Sequence, residues 1–231
     1  MDLLQQTDEL FFTRTNLDLD QTKKIVNSAL AGGDDGELFL EMRHAEMLAF
    51  DDGRLKTASY DQSSGFGLRA VAGEAHGYAH AGELSTDALV RAANSVTAVT
   101  KGYKGTAALA PSAGANIPLY SDQNPLNNTS FEIKVKLLQE MDSYARALDP
   151  RVKQVNASLT GSWQAVQIIR ADGLRVADIR PLVRMNIWIA VEQNGRMESG
   201  GTGAGGRVML DQWLAPKSWQ SQVDEALRIA L

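Results

Sequence analysis

The residues with the clearest chemical potential are two arginines, Arg180 and Arg184, in the segment DIRPLVR at positions 178–184. A guanidinium group is planar and carries a permanent charge, so it binds a carboxylate through two parallel hydrogen bonds. These side chains are therefore candidates for orienting a carboxylate of a bound peptide or partner. A structural salt bridge to Asp178 or to Glu192 is the alternative, and the residue types fit both.

A glycine-rich run follows the arginines and offers main chain almost without side chains. Residues 200–206 read GGTGAGG, with five glycines among seven positions. Bare main chain can approach another backbone closely, which favours hydrogen bonding to an extended peptide or a partner strand. Two other interpretations stay open: a mobile loop at a sheet edge, and a nucleotide-binding loop, which needs a helix directly after it. The candidate contact residues are Arg180, Arg184, Gly203, Gly205, Gly206 and Arg207.

Three residues have the types of metal ligands: Glu74, His76 and His80. Two histidines four positions apart hold one ion when they lie on a helix, where side chains i and i+4 meet. The neighbouring glycines and the alternating pattern favour a strand, on which these positions are about 13 Å apart. We therefore expect strand histidines that face solvent or an interface, and no metal site.

The blocks described so far belong to a longer ordered set that resembles one known family. DIRPLVR, a strand with a charged hairpin, and a run closed by Gly-Gly-Arg resemble the N-terminal half of proteins of the TldD/PmbA family, also called modulator of DNA gyrase. Further similar blocks occur in the same order at positions 36–39, 65–74, 77–79, 118–120 and 152–161. The resemblance covers the chain from about Gly36 to Leu231, and ordered agreement of many blocks is more specific than any single block.

The resemblance implies a zinc metalloprotease whose metal is held by a His-Glu-x-x-x-His segment and a later cysteine in the family's C-terminal half. This chain has three histidines, no cysteine and no such segment. The resemblance therefore implies no catalytic residue, no metal ligand and no cofactor in this chain, with zinc bound elsewhere in the full-length protein. It also implies a PmbA/TldE-like partner subunit and unfolded peptide substrates, with roles in microcin maturation and antitoxin removal.

On this interpretation the chain is the N-terminal scaffold and substrate-cleft half of a peptidase subunit. The alternative is a binding or regulatory module without hydrolytic activity. The final predicted helix, residues 217–231, ends on its apolar stripe without a C-cap, which favours a chain that continues beyond Leu231.

The composition limits the classes of binding partner and the cellular compartment that we expect for this chain. The formal charge is -5 and basic residues do not cluster, which argues against direct binding to nucleic acid. No apolar run approaches the roughly 20 residues of a membrane span, and the N-terminus lacks the pattern of a signal peptide. The absence of cysteine is compatible with a cytoplasmic protein.

The hydrophobic periodicity predicts an α+β fold with mostly antiparallel strands, because consecutive strands are joined by tight turns. The alternation from Met185 to Val191 predicts a half-buried strand, and Asn194-Gly195 predicts a tight hairpin after it. Helices are predicted at residues 17–31, with Asp18 or Asp20 as the cap, at 85–101, with Ser85 as the cap, at 130–148, with a capping box from Thr129 to Glu132, and at 217–231. About four strands are expected between the helices of each half, with breaks near Gly161 and Pro181. The predicted units are residues 1–104 and 119–231, joined by a Gly/Ala/Pro linker at 105–118.

Overall fold

The computed structural model describes residues 2–106 and 119–231, so most of the predicted linker, residues 107–118, lies outside the described residues. The helices are α1 (Leu3–Asp8), α2 (Leu19–Leu30), α3 (Thr86–Thr100), α4 (Phe131–Leu148) and α5 (Pro216–Ala230), with a π-helical turn at Glu9–Thr13 and a 3₁₀ turn at Leu210–Trp213. The strands are β1 (Asp35–Asp51), β2 (Arg54–Ala72), β3 (Ala75–Ala81), β4 (Val152–Arg170), β5 (Arg175–Gln193) and β6 (Arg196–Gly206).

The six strands form one sheet in the order β3-β2-β1-β4-β5-β6. Strands β2 and β3 pair antiparallel, and so do β5 and β6. The predicted α+β class is confirmed. The order helix–strands–helix occurs twice, as predicted, because α2 and α3 flank the first three strands and α4 and α5 flank the last three.

Within the described ranges the strands are longer and fewer than predicted, with three rather than about four in each set. Strand β4 runs without interruption through Gly161, where a break was expected. A Cβ atom at Gly161 would lie 2.6 Å from Cδ2 of Leu126, so this glycine admits a neighbouring side chain instead of making a turn. Strand β5 likewise continues through Pro181.

Side-chain caps start three of the helices. Asp18 accepts a hydrogen bond from the Gln21 amide at 2.7 Å, and Ser85 caps α3 through the Ala88 amide, as the sequence predicts. The predicted cap of α4 is wrong by one residue. Ser130, not Thr129, is the N-cap and accepts from the Ile133 amide, because α4 begins at Phe131.

Contacts between Cα atoms divide the chain into two compact units, each assembled from three segments. Unit 1 contains residues 1–43, 62–119 and 164–179, and unit 2 contains residues 44–61, 120–163 and 180–231. In unit 1, α2 packs on α3 and α3 packs on β3, with Val26, Leu89 and Val96 almost fully buried. The predicted boundaries at residues 104 and 119 remain a prediction.

The core of unit 2 lies between α4, α5 and one face of β1, β4 and β5. Its central side chains include Leu138, Met141, Met185, Ile187 and Val223, all at most 2 % exposed. One charged pair accompanies this core. The Lys134 ammonium lies 2.5 Å from a Glu46 carboxylate oxygen and also donates to the Leu126 carbonyl at 2.9 Å. Since the Lys134 side chain is only 3 % exposed, this pair fixes α4 against β1.

Candidate functional site

Strand β5 presents a different chemistry on each of its faces. Val183, Met185 and Ile187 are buried in the unit 2 core, as the period-two pattern predicts. Arg184, Asn186 and Trp188 alternate with them and therefore point away from the helices. Arg184 and Trp188 are exposed and Asn186 is half-buried, so this face of the strand carries a polar and aromatic row open to solvent.

The hairpin at Asn194-Gly195 places the glycine-rich run beside this row. Both turn residues have positive φ, 55° and 78°, as the sequence predicts for a tight turn. The resulting register is regular and alternates down the two strands. Directly opposite pairs on the open face are Arg184 with Gly205, Asn186 with Gly203, and Trp188 with Gly201. We call these six residues the β5–β6 open face.

Each glycine of the open face lies beneath a side chain or carbonyl of β5. A Cβ atom at Gly203 would lie 2.5 Å from Oδ1 of Asn186 and 3.3 Å from an Arg184 guanidinium nitrogen. At Gly201 a Cβ atom would lie 3.3 Å from Cδ1 of Trp188, and at Gly205 it would collide with the Val183 carbonyl. The glycines therefore let the long β5 side chains lie across the main chain of β6.

Hydrogen bonds orient the polar part of the open face. Arg184 donates from Nε to Oδ1 of Asn186 at 2.8 Å, and Asn186 donates from Nδ2 to the Ser158 hydroxyl at 3.3 Å. Within residues 2–106 and 119–231, no carboxylate pairs with Arg184. The alternative of a salt bridge to Glu192 is wrong for Arg184: within the described residues Glu192 pairs instead with Lys153, whose Nζ lies 3.9 Å from Oε2 of Glu192. The terminal nitrogens of Arg184 therefore face solvent above the glycines.

The remaining predicted contact residues have other surroundings. Arg180 lies in β5 and already has an interaction partner within the described residues. Arg207 donates to the Pro181 carbonyl at 3.5 Å, and its guanidinium lies 4.9 Å from the centre of the Tyr120 ring. Gly206 ends β6 opposite Val183. The structure thus brings together Arg184, Gly203 and Gly205, while Arg207 binds a different part of unit 2.

The glycine-rich run is an edge strand, so the mobile-loop interpretation is wrong. Residues 196–206 form β6, which has β5 as its single neighbour in the described sheet. Helix α5 packs on the other face of β6, and a Cβ atom at Gly200 would lie 2.6 Å from the Ala230 nitrogen. The nucleotide-loop interpretation also fails, because a 3₁₀ turn follows and α5 begins only at Pro216.

Asn186 and Trp188 are functional candidates that the sequence reasoning missed. Trp188 is 39 % exposed, beside the half-buried Asn186. The hairpin is the sequence feature that could have identified these two residues. A turn at Asn194-Gly195 sets a register in which alternate residues 184, 186 and 188 face alternate residues 205, 203 and 201.

The histidine pair has the predicted placement. Strand β3 contains His76 and His80, and both side chains are exposed. Across the part of the chain that the structure describes, no three His, Asp or Glu side chains are grouped so as to hold a metal ion. The residues present therefore do not fit a zinc centre, and we assign no chemical step of hydrolysis to them.

Shifted pKa values mark two structural turns. Hydrogen bonds from the Arg151 side chain and then its amide lower the pKa of Asp149 to about 2, at the end of α4. The Gly73 amide and the Tyr103 hydroxyl lower the pKa of Asp34 in unit 1, and the same bond to Asp34 raises the pKa of Tyr103. Both carboxylates organise local backbone, because each accepts from an amide of a neighbouring turn.

Comparison with known proteins identifies the family to which this chain belongs. Residues 36–100 match the PmbA/TldA metallopeptidase domain 1, and residues 124–231 match the PmbA/TldA metallopeptidase central domain. The chain belongs to the PmbA/TldD family. Two relatives are each named metalloprotease TldD homolog. The one from Haemophilus influenzae is 38 % identical over 181 residues, and the one from Buchnera aphidicola (Acyrthosiphon pisum) is 35 % identical over 206 residues.

These alignments cover 77 % and 86 % of this chain but 37 % and 42 % of the relatives. The chain therefore spans about two fifths of their length. TldE from Thermococcus kodakarensis has a similar fold, with a TM-score of 0.72 at 15 % identity over 90 % of this chain and 46 % of that chain. A protein from Thermotoga maritima described as a putative modulator of a DNA gyrase also has a TM-score of 0.72, at 13 % identity over 91 % of this chain and 47 % of that chain.

No helix in the described ranges is long and apolar enough to cross a membrane.

Proposed function

We propose that this chain is the N-terminal scaffold and substrate-cleft portion of a TldD-like metalloprotease subunit that cleaves unfolded peptides. The supporting observation is the sequence identity of 38 % and 35 % that this chain shares, over most of its own length, with proteins named metalloprotease TldD homolog. The proposal places zinc and the catalytic groups in the part of the relatives beyond this chain. It includes a PmbA/TldE-like partner subunit, a cytoplasmic location, and substrates such as microcin precursors or antitoxins.

In this proposal the β5–β6 open face and the free edge of β6 hold extended peptide or a partner strand. An edge strand offers unpaired N–H and C=O groups along one side, which bind main chain without regard to sequence. The terminal nitrogens of Arg184 lie above exposed glycines and pair with no carboxylate of the described residues. They are therefore placed to bind a carboxylate of the incoming chain through two hydrogen bonds.

The test is a titration of the isotopically labelled chain with a capped, unstructured peptide that contains aspartate residues, followed through backbone amide resonances by NMR. We expect saturable shifts in residues 183–188 and 196–206. Arg184→Gln should weaken binding about two- to fivefold, since exposed ion pairs contribute about 0.2–1 kcal/mol. Arg228→Gln is the matched control, because it removes an exposed guanidinium from α5 that pairs with Glu225.

The same samples test the proposal that zinc and the catalytic groups lie outside this chain. We expect no stoichiometric zinc by elemental analysis and no cleavage of the peptide by this chain alone. One tightly held equivalent of zinc would contradict the scaffold assignment. Saturable peptide binding combined with an inactive complete subunit, with its partner and zinc present, would instead favour the regulatory binding module.

A further inference from the structure

A second glycine-floored surface lies in unit 1, on β1, β2 and β3. It is an open pocket of about 350 Å³ whose lining includes Glu41, Ser64, Gly65, Gly67, Tyr78 and His80. We call these residues the Tyr78 pocket. All of them belong to unit 1, and none is among the contact residues proposed for peptide binding.

One wall of the pocket consists of two aromatic rings on the edge strand β3. Tyr78 and His80 stack with their ring centroids 5.7 Å apart and their planes inclined by 29°. Tyr78 is 67 % exposed, although a tyrosine ring is largely apolar. Single exposed aromatic residues are common and need no explanation. At a centroid separation of 5.7 Å the two rings are offset from each other, so much of the Tyr78 ring stays exposed beside the pocket, and an exposed aromatic face is the usual partner of a planar cation.

The Tyr78 ring lies across the floor of the pocket. A Cβ atom at Gly67 would lie 2.7 Å from the Tyr78 hydroxyl oxygen and 3.1 Å from Cε2, so the ring lies directly on the main chain of β2. Gly67 therefore leaves the space that the ring occupies, and a larger residue at this position would displace the ring.

The charge of the pocket is negative. Glu41 is half-buried, and across residues 2–106 and 119–231 it forms no salt bridge or side-chain hydrogen bond. Among the described residues the lining contains no lysine or arginine, and Arg69, which lies opposite Tyr78 on β2, is already paired with Asp35 and Glu37. A carboxylate without a cationic partner beside a stacked aromatic pair matches a ligand with a planar positive charge.

We propose that the Tyr78 pocket binds a guanidinium group, as carried by arginine. The guanidinium plane stacks on the Tyr78 ring, and its N–H groups pair with the Glu41 carboxylate. Guanidinium fits this arrangement better than ammonium, because it is planar, weakly hydrated and bidentate. The site is separate from the proposed peptidase function, since neither its residues nor its chemistry depend on zinc or on the β5–β6 open face.

The experiment is an NMR titration of the labelled chain with four probes: free arginine and capped Gly-Arg-Gly, Gly-Lys-Gly and Gly-norleucine-Gly. We expect saturable shifts at residues 63–67 and 78–82 with the arginine probes, weaker binding of the lysine probe, and none with norleucine. Tighter binding of capped Gly-Arg-Gly assigns the site to arginine within a peptide, and tighter binding of free arginine assigns it to the amino acid.

Variants separate recognition from folding. Tyr78→Ala and Glu41→Gln should each weaken arginine binding about two- to fivefold, whereas Tyr78→Phe should retain it. Glu41→Gln should leave the fold unchanged, because the Glu41 side chain forms no salt bridge or hydrogen bond within the described residues and glutamine has nearly the same shape. Glu74→Gln is the charge control, since it removes an equally negative residue from the β2–β3 turn. Equal binding of arginine and norleucine probes, no saturable binding of either arginine probe, or equal effects of Glu41→Gln and Glu74→Gln would overturn the proposal.

Discussion

The β2–β3 and β5–β6 pairs use glycine in opposite places. Both pairs end at an edge of the sheet, and a helix packs on one face of each edge strand: α3 on β3 and α5 on β6. In the first pair the glycine lies on the inner strand, as Gly67, and the long side chain on the edge strand, as Tyr78. In the second pair the edge strand carries Gly201 and Gly203, and the inner strand carries Trp188 and Arg184.

The strand on which the glycines lie determines which groups each edge strand presents to a ligand. Strand β3 presents side chains, namely the stacked rings of Tyr78 and His80, beside the carboxylate of Glu41. Strand β6 presents main chain, and the charged group over it is the guanidinium of Arg184. The same local device, a side chain lying across glycine, therefore produces an acidic aromatic pocket in unit 1 and a basic, bare strand edge in unit 2.

The largest expected effect concerns the glycine beneath each helix. Gly200→Ala should destabilise the chain by about 1–3 kcal/mol, because the added carbon collides with the Ala226 carbonyl and lies 2.6 Å from the Ala230 nitrogen. Gly77→Ala should cost less, since its nearest contacts are Cγ2 of Val99 at 2.9 Å and backbone atoms of Val96 at 3.3 Å, whereas the atoms that Gly200→Ala meets are closer and belong to the backbone. Urea unfolding measures both free energies.

Gly206→Ala is the control in the same strand, because the nearest atoms to its added carbon lie 3.9 Å away. It should change the free energy of unfolding by no more than about 0.5 kcal/mol. Equal losses for Gly200→Ala and Gly206→Ala would show that α5 does not need the close approach to β6.

A smaller effect separates stability from binding in unit 1. Gly67→Ala should cost less than about 1 kcal/mol, because the atom it meets is the movable end of the Tyr78 side chain. The displaced ring should nevertheless weaken guanidinium binding about two- to fivefold. Urea unfolding and the arginine titration are the two measurements. Unchanged binding would mean that the glycine floor does not position Tyr78.

The smallest effect is the pH dependence of the two turns. The pKa of Asp149 is about 2 in the folded chain, below the value of about 3.9 for an unfolded aspartate. Its stabilising contribution is therefore complete above about pH 4 and is lost as the pH falls towards 2. Asp149→Asn in unit 2 should reduce the fall in melting temperature between pH 5 and pH 2.5.

Asp34→Asn tests the corresponding turn in unit 1, where hydrogen bonds from the Gly73 amide and Tyr103 lower the pKa of Asp34. Its acid-induced loss has the same sign, because its folded-state pKa is also depressed. If the melting temperature of either variant falls as steeply with acid as that of the wild-type chain, the carboxylate replaced in that variant does not contribute to the acid-induced loss of stability.

Local patterns predicted much of the fold. The alternation from Met185 to Val191 predicted a half-buried strand, and Asn194-Gly195 predicted the hairpin that the positive φ angles confirm. The cap at Ser85 was also readable, and Asp18 was one of two candidates for the cap of α2, because a cap is set by residues within one turn. The break expected at Gly161 was wrong, since its cause is the distant side chain of Leu126.

The candidate site was only partly readable. The residue types of Arg184, Gly203 and Gly205 indicated contact with extended chain, and the structure places these three together. The surroundings of Arg207 were not readable, because they depend on Tyr120, far away in sequence. The Tyr78 pocket was not predicted either, since it needs side chains from three strands at once.

The sequence by itself determined the fold class, the family, and the positions of turns and helix caps, because each depends on residues close together in the chain or on ordered blocks along it. Only the tertiary structure decided which strands form the edges and which side chains lie over which glycines. Those outcomes depend on strand order and register, which bring Tyr78 onto Gly67 and Trp188 onto Gly201. A shift of one residue in either register would turn those side chains to the opposite face.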